Sequence, residues 1–146
     1  MTLIVDTNVW VAAHNERDPD HRRCAGLLRR RAGELVAPPT VVAETAWFLE
    51  DRHGPDAEAR FLRLITAGAL TVVDLIADDW ERCIELIETY DQLRLGVVDA
   101  SVVAIAERLR LSELATMNAR DFTVVRPVHV AAFDLLPAAG AGATPG

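Results

Sequence analysis

Short apolar runs, each followed by a stretch of helical periodicity, are the feature that most narrows what this chain can become. Thr2–Val5, Leu35–Ala37, Leu70–Val73, Leu114–Met117 and Thr123–Val125 read as strands. Between them lie amphipathic segments with start and stop signals. Thr7 to His14 is a short helix, with Val9, Trp10, Ala13 and His14 on its apolar side. Asp18-Pro19 opens a second helix, running to about Ala32 and stopped by Gly33. Pro38-Pro39-Thr40 opens a third, to about His53, and Pro55 starts a fourth that Gly68 stops. Asp78 with Glu81 has capping-box spacing, ahead of Trp80, Cys83, Ile84 and Ile87 as an apolar stripe. Gly96 precedes a last helix, from about Val98 to Arg110. Strands alternating with helices give an α/β fold, a three-layer α/β/α arrangement around a parallel sheet of four to five short strands. Such sheets carry their sites at the carboxyl ends of the strands.

The length, 146 residues, suits one domain, and 51% hydrophobic residues can build its core. That domain is expected over 1–136, with the Ala/Gly-rich segment 137–146 having nothing to bury and expected to be disordered. No apolar run reaches the roughly 18–20 residues that a spanning helix needs. The opening Met1–Asp6 has no basic stretch and is not expected to be a secretory signal. Cys24 and Cys83 lie far apart and outside any C-x-x-C spacing, which fits a reducing, cytoplasmic setting better than a disulfide or thiolate-zinc scaffold.

All fifteen basic residues are arginine, against twenty-two acids, for a net charge of −7. The excess is uneven. Residues 17–31 hold six arginines against two aspartates, and residues 74–91 hold seven acids against Arg82. Each run is either a solvated helix face or, for the arginines, a local phosphate-binding face.

Position sorts the acids. Glu81, Glu85 and Glu88 fall off the apolar stripe of their helix and read as solvated. Asp99 has Val102, Val103 and Ala106 at +3, +4 and +7, so it lies on the stripe that faces the sheet. Glu44 likewise follows Val41 and precedes Trp47 and Phe48. Asp6 comes directly after Leu3-Ile4-Val5, at a strand's carboxyl end. A buried carboxylate needs a partner. For each alone an arginine or a helix amino terminus would serve: Asp6 could cap the helix at Thr7, and Asp99 could favour the start of its own. For three acids converging on one sheet end, a divalent cation is the better solution, and hard oxygen ligands suit Mg²⁺ or Mn²⁺. A carboxylate-held Mg²⁺ points to phosphodiester hydrolysis. No glycine-rich nucleotide loop is present. An aspartyl-phosphate mechanism at Asp6 would lack a lysine to steady the phosphoryl group.

Four blocks in order carry a family likeness: Val5-Asp-Thr-Asn8, Pro39-Thr-Val-Val-Ala-Glu44, Leu95-Gly-Val-Val-Asp-Ala-Ser-Val-Val-Ala104 and Leu114-Ala-Thr-Met-Asn-Ala-Arg-Asp-Phe122. Over about residues 2–136 the chain resembles PIN-domain ribonucleases, in particular the VapC-type toxins of bacterial toxin–antitoxin pairs. The resemblance implies Asp6, Glu44 and Asp99 as the acidic positions, with Asp6 and Asp99 as metal ligands. Glu44 would serve a second metal or the water. Asn8 and Thr116 would orient the acids or the scissile phosphate. It further implies Mg²⁺- or Mn²⁺-dependent endoribonuclease cleavage of structured RNA such as tRNA or rRNA. The implied partners are a second copy of the chain, as a homodimer, and a VapB-type antitoxin laying its tail along a groove.

One block departs from the family pattern, with Asn118 where an aspartate is usual. Asp121 then either supplies the fourth carboxylate or is a turn or cap residue. The departure also leaves room for a PIN-fold module that binds RNA or protein without cleaving. Trp10, Trp47 and Phe48 are candidates to line the antitoxin's groove, with core packing the expected job of Trp47 and Phe48. His14 and His21 read as packing or surface residues, His14 with a possible RNA contact one turn after Trp10.

Overall fold

Leu3, Ile4 and Val5 are buried on every side, and they form the central strand β1 (Leu3–Val5) of a five-stranded parallel sheet. This computed structural model describes residues 1–138; the expected disordered tail lies, from residue 139 on, outside the described residues. The other strands are β2 (Leu35–Ala37), β3 (Leu70–Val72), β4 (Glu113–Ala115) and β5 (Asp134–Leu136). Their order is β3-β2-β1-β4-β5, with Ile4 opposite Val36 on one side and Leu114 on the other. The chain therefore walks outward from β1 to one edge, then returns to fill the other. Right-handed crossovers place helices on both faces of such a sheet, and the reversal falls between β1 and β4.

The helices are α1 (Thr7–Ala13), α2 (His21–Arg30), α3 (Pro39–His53), α4 (Pro55–Thr66), α5 (Ala77–Thr89), α6 (Val97–Leu109) and α7 (Ala119–Val124). Pro39 and Pro55 occupy first turns, where a missing N–H costs nothing. Gly54 joins α3 to α4 at φ +89°, a conformation that a side chain would strain. In α6 every residue from Ala100 to Ala106 is buried. It is the inner helix of its layer, in contact with α3, α5 and β1, and small residues let these neighbours approach closely.

Several details differ from the sequence expectation. Asp18-Pro19 forms a turn before α2 rather than its cap, with Asp18 Oδ1 accepting the Asp20 N–H at 2.8 Å; the helix begins at His21. Residues 123–125 are not a strand. The Asn118 cap carries Thr123 and Val124 into α7, and the last strand forms later, at Asp134–Leu136. On α5 the expected apolar stripe is largely outside: Trp80, Ile84 and Ile87 are exposed, whereas Asp79, Cys83 and Leu86 are buried. Two overlapping stripes compete on this helix, and the inner one holds an acid. Trp10 is 1% exposed and packs edge-on against Phe61, so its bulk is core packing. Trp47 is 60% exposed, so it is no core residue; Phe48 is half-buried.

Ion pairs explain the inner stripe of α5. Asp79 accepts from Arg108 Nε at 3.0 Å and from the Ile76 N–H at 3.0 Å, so it closes both the helix start and the contact with α6. Arg82 pairs with Glu107 at 2.8 and 3.1 Å, and Glu107 also accepts the Val128 N–H. Asp79→Ala is expected to cost about 1–3 kcal/mol, because it leaves Arg108 and an amide without their acceptor. Asp78→Ala, an exposed neighbour, should stay within about 0.5 kcal/mol of the parent in urea denaturation.

Candidate active site

The reversal between β1 and β4 leaves a crevice at their carboxyl ends. Asp6 and Thr116, the residues immediately after those two strands, meet there. The Asp6 carboxylate is 3% exposed and doubly held: Oδ1 accepts the Thr7 N–H at 2.8 Å, and Oδ2 accepts the Thr116 hydroxyl at 2.9 Å. The first bond caps α1, so the local reading of Asp6 as a helix cap is correct as far as it goes. Thr116 Oγ1 in turn accepts the Asn118 N–H at 3.0 Å and the Asn8 amide at 3.4 Å. Asn8 Oδ1 accepts the Met117 N–H at 2.9 Å, which ties α1 to the loop after β4. Asn8 and Thr116 thus orient the acid through a short polar network.

The crevice opens into a cavity of about 300 Å³ lined by Asp6, Asn8, Glu44, Asp99 and Asn118. Asp99 enters from the first turn of α6 and Glu44 from α3. Three acids from remote parts of the chain therefore share one space. Asp121 is not among its lining residues. It sits in the first turn of α7, where its Oδ2 accepts from the Asn118 side-chain amide at 2.9 Å and its N–H reaches Asn118 Oδ1 at 3.4 Å. Asn118 is thus the cap of α7, and Asp121 its partner in that turn.

Electrostatics sharpen the picture. Burial, above all, pushes the Asp6 carboxyl up to about 6; the Thr116 and Thr7 hydrogen bonds oppose this and Glu44 adds to it. Burial likewise drives Asp99 up to about 7, and Asp6, Glu44 and Asp121 each push in the same direction. Among the described residues, neither Asp99 nor Glu44 has a side-chain hydrogen-bond or ion-pair partner. Cations are not scarce. The same chain pairs Glu107 with Arg82, Asp79 with Arg108, and Glu113 with Arg31. In this cavity, by contrast, the acids face one another, and Asp6 and Glu44 add to the upward push on Asp99.

That donor set fits a hard divalent ion. Asp and Glu side chains line the cavity and no His or Cys does, which favours Mg²⁺ or Mn²⁺ over zinc. Among the described residues no three acidic, His or Cys side chains are gathered tightly enough to close on one ion. Mg²⁺ commonly takes one or two carboxylates and keeps waters for the rest of its shell, so Asp6 and Asp99 with water would suffice.

Five further residues line the cavity, Thr7, Val11, Asp18, Phe48 and Arg52, of which only Phe48 was a groove candidate from the sequence. The last two carried a readable signal, because Glu44, Phe48 and Arg52 fall four residues apart on one face of α3. Asp18 carried none, since its turn is set by tertiary packing.

Comparisons with known proteins bear on the family and the fold. Residues 3–126 match the PIN domain. The chain is 31% identical over 135 residues to Ribonuclease VapC26 of Mycobacterium tuberculosis, which covers 92% of this chain and 100% of that protein. Mycobacterium tuberculosis VapC20, a Sarcin-Ricin loop cleaving toxin, superposes with a TM-score of 0.76 at 23% identity, over 89% of this chain and 99% of the other. One chain of a toxin–antitoxin complex from Klebsiella pneumoniae superposes at 0.67 with 22% identity, over 88% of this chain and 100% of the other. At these identities the two structures speak for the fold.

The raised carboxyls set the pH dependence of the metal-free protein. A group whose folded pKa exceeds its unfolded value stabilises the fold while protonated. That contribution is lost as pH rises through about 7 for Asp99 and about 6 for Asp6. The melting temperature in EDTA is therefore expected to fall between about pH 5 and about pH 8. Asp99→Asn should flatten that slope and melt higher than the parent at the alkaline end. A parent whose melting temperature rises over the same interval would contradict the assignment.

Proposed function

This chain belongs to the PIN-domain family, among its VapC-type ribonucleases, and from that premise we propose that it is a Mg²⁺- or Mn²⁺-dependent endoribonuclease toxin. Its substrate would be a structured RNA, tRNA or rRNA, and a VapB-type antitoxin would neutralise it. The observation that carries the reading is the pair of carboxylates, buried Asp6 and half-buried Asp99, that share a cavity with Glu44 and have no arginine paired to them. The nuclease unit would span residues 1–136.

In this reading Asp6 and Asp99 are the metal ligands, and Glu44 holds the water or a second ion. A bound divalent ion supplies Lewis acidity to the scissile phosphate and acidifies water at neutral pH. The protein's own work is positioning. Thr116 and the Thr7 amide fix the Asp6 oxygens, Asn8 locks the loop after β4 in place, and the Asn118–Asp121 pair holds the start of α7 beside them. Asn118 lines the cavity while its side chain is committed to the α7 cap, and Asp121 adds negative potential to Asp99. No histidine lines the cavity to act as a general base, which suits a mechanism in which the water is acidified by the ion.

Two surface features support the proposed partners. Trp80, Ile84 and Ile87 form an exposed apolar strip on α5, with Ile76 just before the helix, as expected of a face covered in a homodimer. An antitoxin bringing arginine to the unpaired acids would relieve their repulsion and block the cavity together. No helix among the described residues is long and apolar enough to cross a membrane, and both cysteines are unpaired and buried, which fits a cytoplasmic setting.

Cleavage of a labelled structured RNA is expected with Mg²⁺ or Mn²⁺ and to be abolished by EDTA. Asp6→Asn and Asp99→Asn should each lower the rate about a hundredfold or more. Thr116→Val, which leaves Asp6 in place but loosens it, should cost about 10- to 100-fold. RNA binding without cleavage at any metal concentration would favour the non-cleaving module instead.

A further inference from the structure

Arg52 is the one cation that lines the acidic cavity among the described residues, and nothing pairs with it there. Its guanidinium carbon lies 4.8 Å from the centre of the Phe48 ring, so the side chain is held as a flat, solvent-facing charge rather than left to swing. Phe48 lines the same cavity. Arg52 also borders an adjoining groove, with His14, Asn15, Arg17 and His53 on its walls and Glu16 as its one acid. That side of the molecule is locally basic: beyond burial, Arg60, His53 and His21 each hold the His14 imidazole below its ordinary range. Arg17, like Arg52, has no ion-pair partner among the described residues. The acidic cavity thus continues, through a single arginine, into a basic groove.

A polyanion entering a cluster of carboxylates needs cationic contact beside it. Arg52 stands two helical turns from Glu44 on α3, roughly 12 Å along the axis. That is too far for a group bound beside Glu44 and well placed for a neighbouring phosphate. We propose that Arg52, braced on Phe48, and Arg17 bind the RNA backbone on one side of the cleaved bond, so that the strand runs from the groove between α1 and the end of α3 into the acidic cavity. This inference rests on the ribonuclease reading above and adds to it a direction of entry and a residue that sets substrate affinity. Arg52 contacts a flanking phosphate, so it acts on KM and leaves kcat nearly unchanged.

The test separates binding from cleavage. Fluorescence anisotropy of a fluorescein-labelled RNA hairpin with a single-stranded loop is measured in EDTA, over a series of salt concentrations. The proteins compared are the full chain and its Arg52→Gln, Arg52→Lys and Arg63→Gln variants. Arg63 is an exposed arginine of α4 that lines neither the cavity nor the groove. Arg52→Gln is expected to weaken binding about 5- to 10-fold and to lower the salt slope by about 0.7, the loss of one phosphate contact on a single strand. Arg52→Lys should keep the slope, and Arg63→Gln should match the parent. With Mg²⁺ present, Arg52→Gln should raise KM by a similar factor. Unchanged affinity and slope in Arg52→Gln, equal weakening in Arg63→Gln, or no measurable binding by the parent would each overturn the proposal. Equal, Arg52-dependent binding of a polyglutamate peptide would overturn the RNA assignment in favour of an acidic protein segment. Absence of cleavage by the parent in Mg²⁺ would instead count against the ribonuclease reading, while the EDTA comparison still decides the role of Arg52.

Discussion

A carboxylate that is almost wholly removed from water, at the end of the central strand, is the constraint around which this molecule is arranged. Asp6 would be costly there without compensation. Its two oxygens are met by the first amide of α1 and by the hydroxyl of Thr116, so the central strand, the helix that follows it and the neighbouring strand are joined at one side chain. The strand order makes this possible, since β1 lies between β2 and β4 and the chain reverses its direction of sheet growth beside it. The hydrogen bonds orient the acid without neutralising it, and its carboxyl remains well above the usual carboxylate range.

The contrast with the other shielded acids is informative. Asp79, Glu107 and Glu113 each face an arginine across a short contact and knit helices or termini together. Those pairs are structural, because their charges are satisfied within the chain. Asp6, Asp99 and Glu44 line one cavity with no arginine paired to them, and their mutual repulsion adds to burial in raising the Asp6 and Asp99 carboxyls. The chain thus pairs several shielded acids with arginine elsewhere and leaves these three without such a partner.

The net charge of −7 is unevenly distributed over the molecule. The excess acid of residues 74–91 lies largely on and around α5, where most of it is solvated and part is locked in ion pairs. The side of the cavity near the end of α3 and the loop after α1 carries arginines and histidines instead. Net charge governs solubility and long-range repulsion, whereas any ligand at the groove meets the local field.

The strands β1 to β4, the helices between them and the convergence of Asp6, Glu44 and Asp99 were all legible in the sequence. They depend on local rules: apolar runs of strand length, helical spacing, and proline and glycine as start and stop signals. The same four-residue spacing that placed Phe48 beside Glu44 also places Arg52 on that face, a step that went untaken. Tertiary structure alone decided the rest. It chose which of two overlapping stripes on α5 turned inward, because Arg108 on α6 made a buried Asp79 tolerable. It put Trp10 inside and Trp47 outside, drew residues 123–124 into a helix through the Asn118 cap, and found the fifth strand at Asp134–Leu136. In each case the deciding partner lies elsewhere in the fold or in a cap whose competing uses look alike in one dimension, so periodicity could propose the element but not which neighbour it would meet.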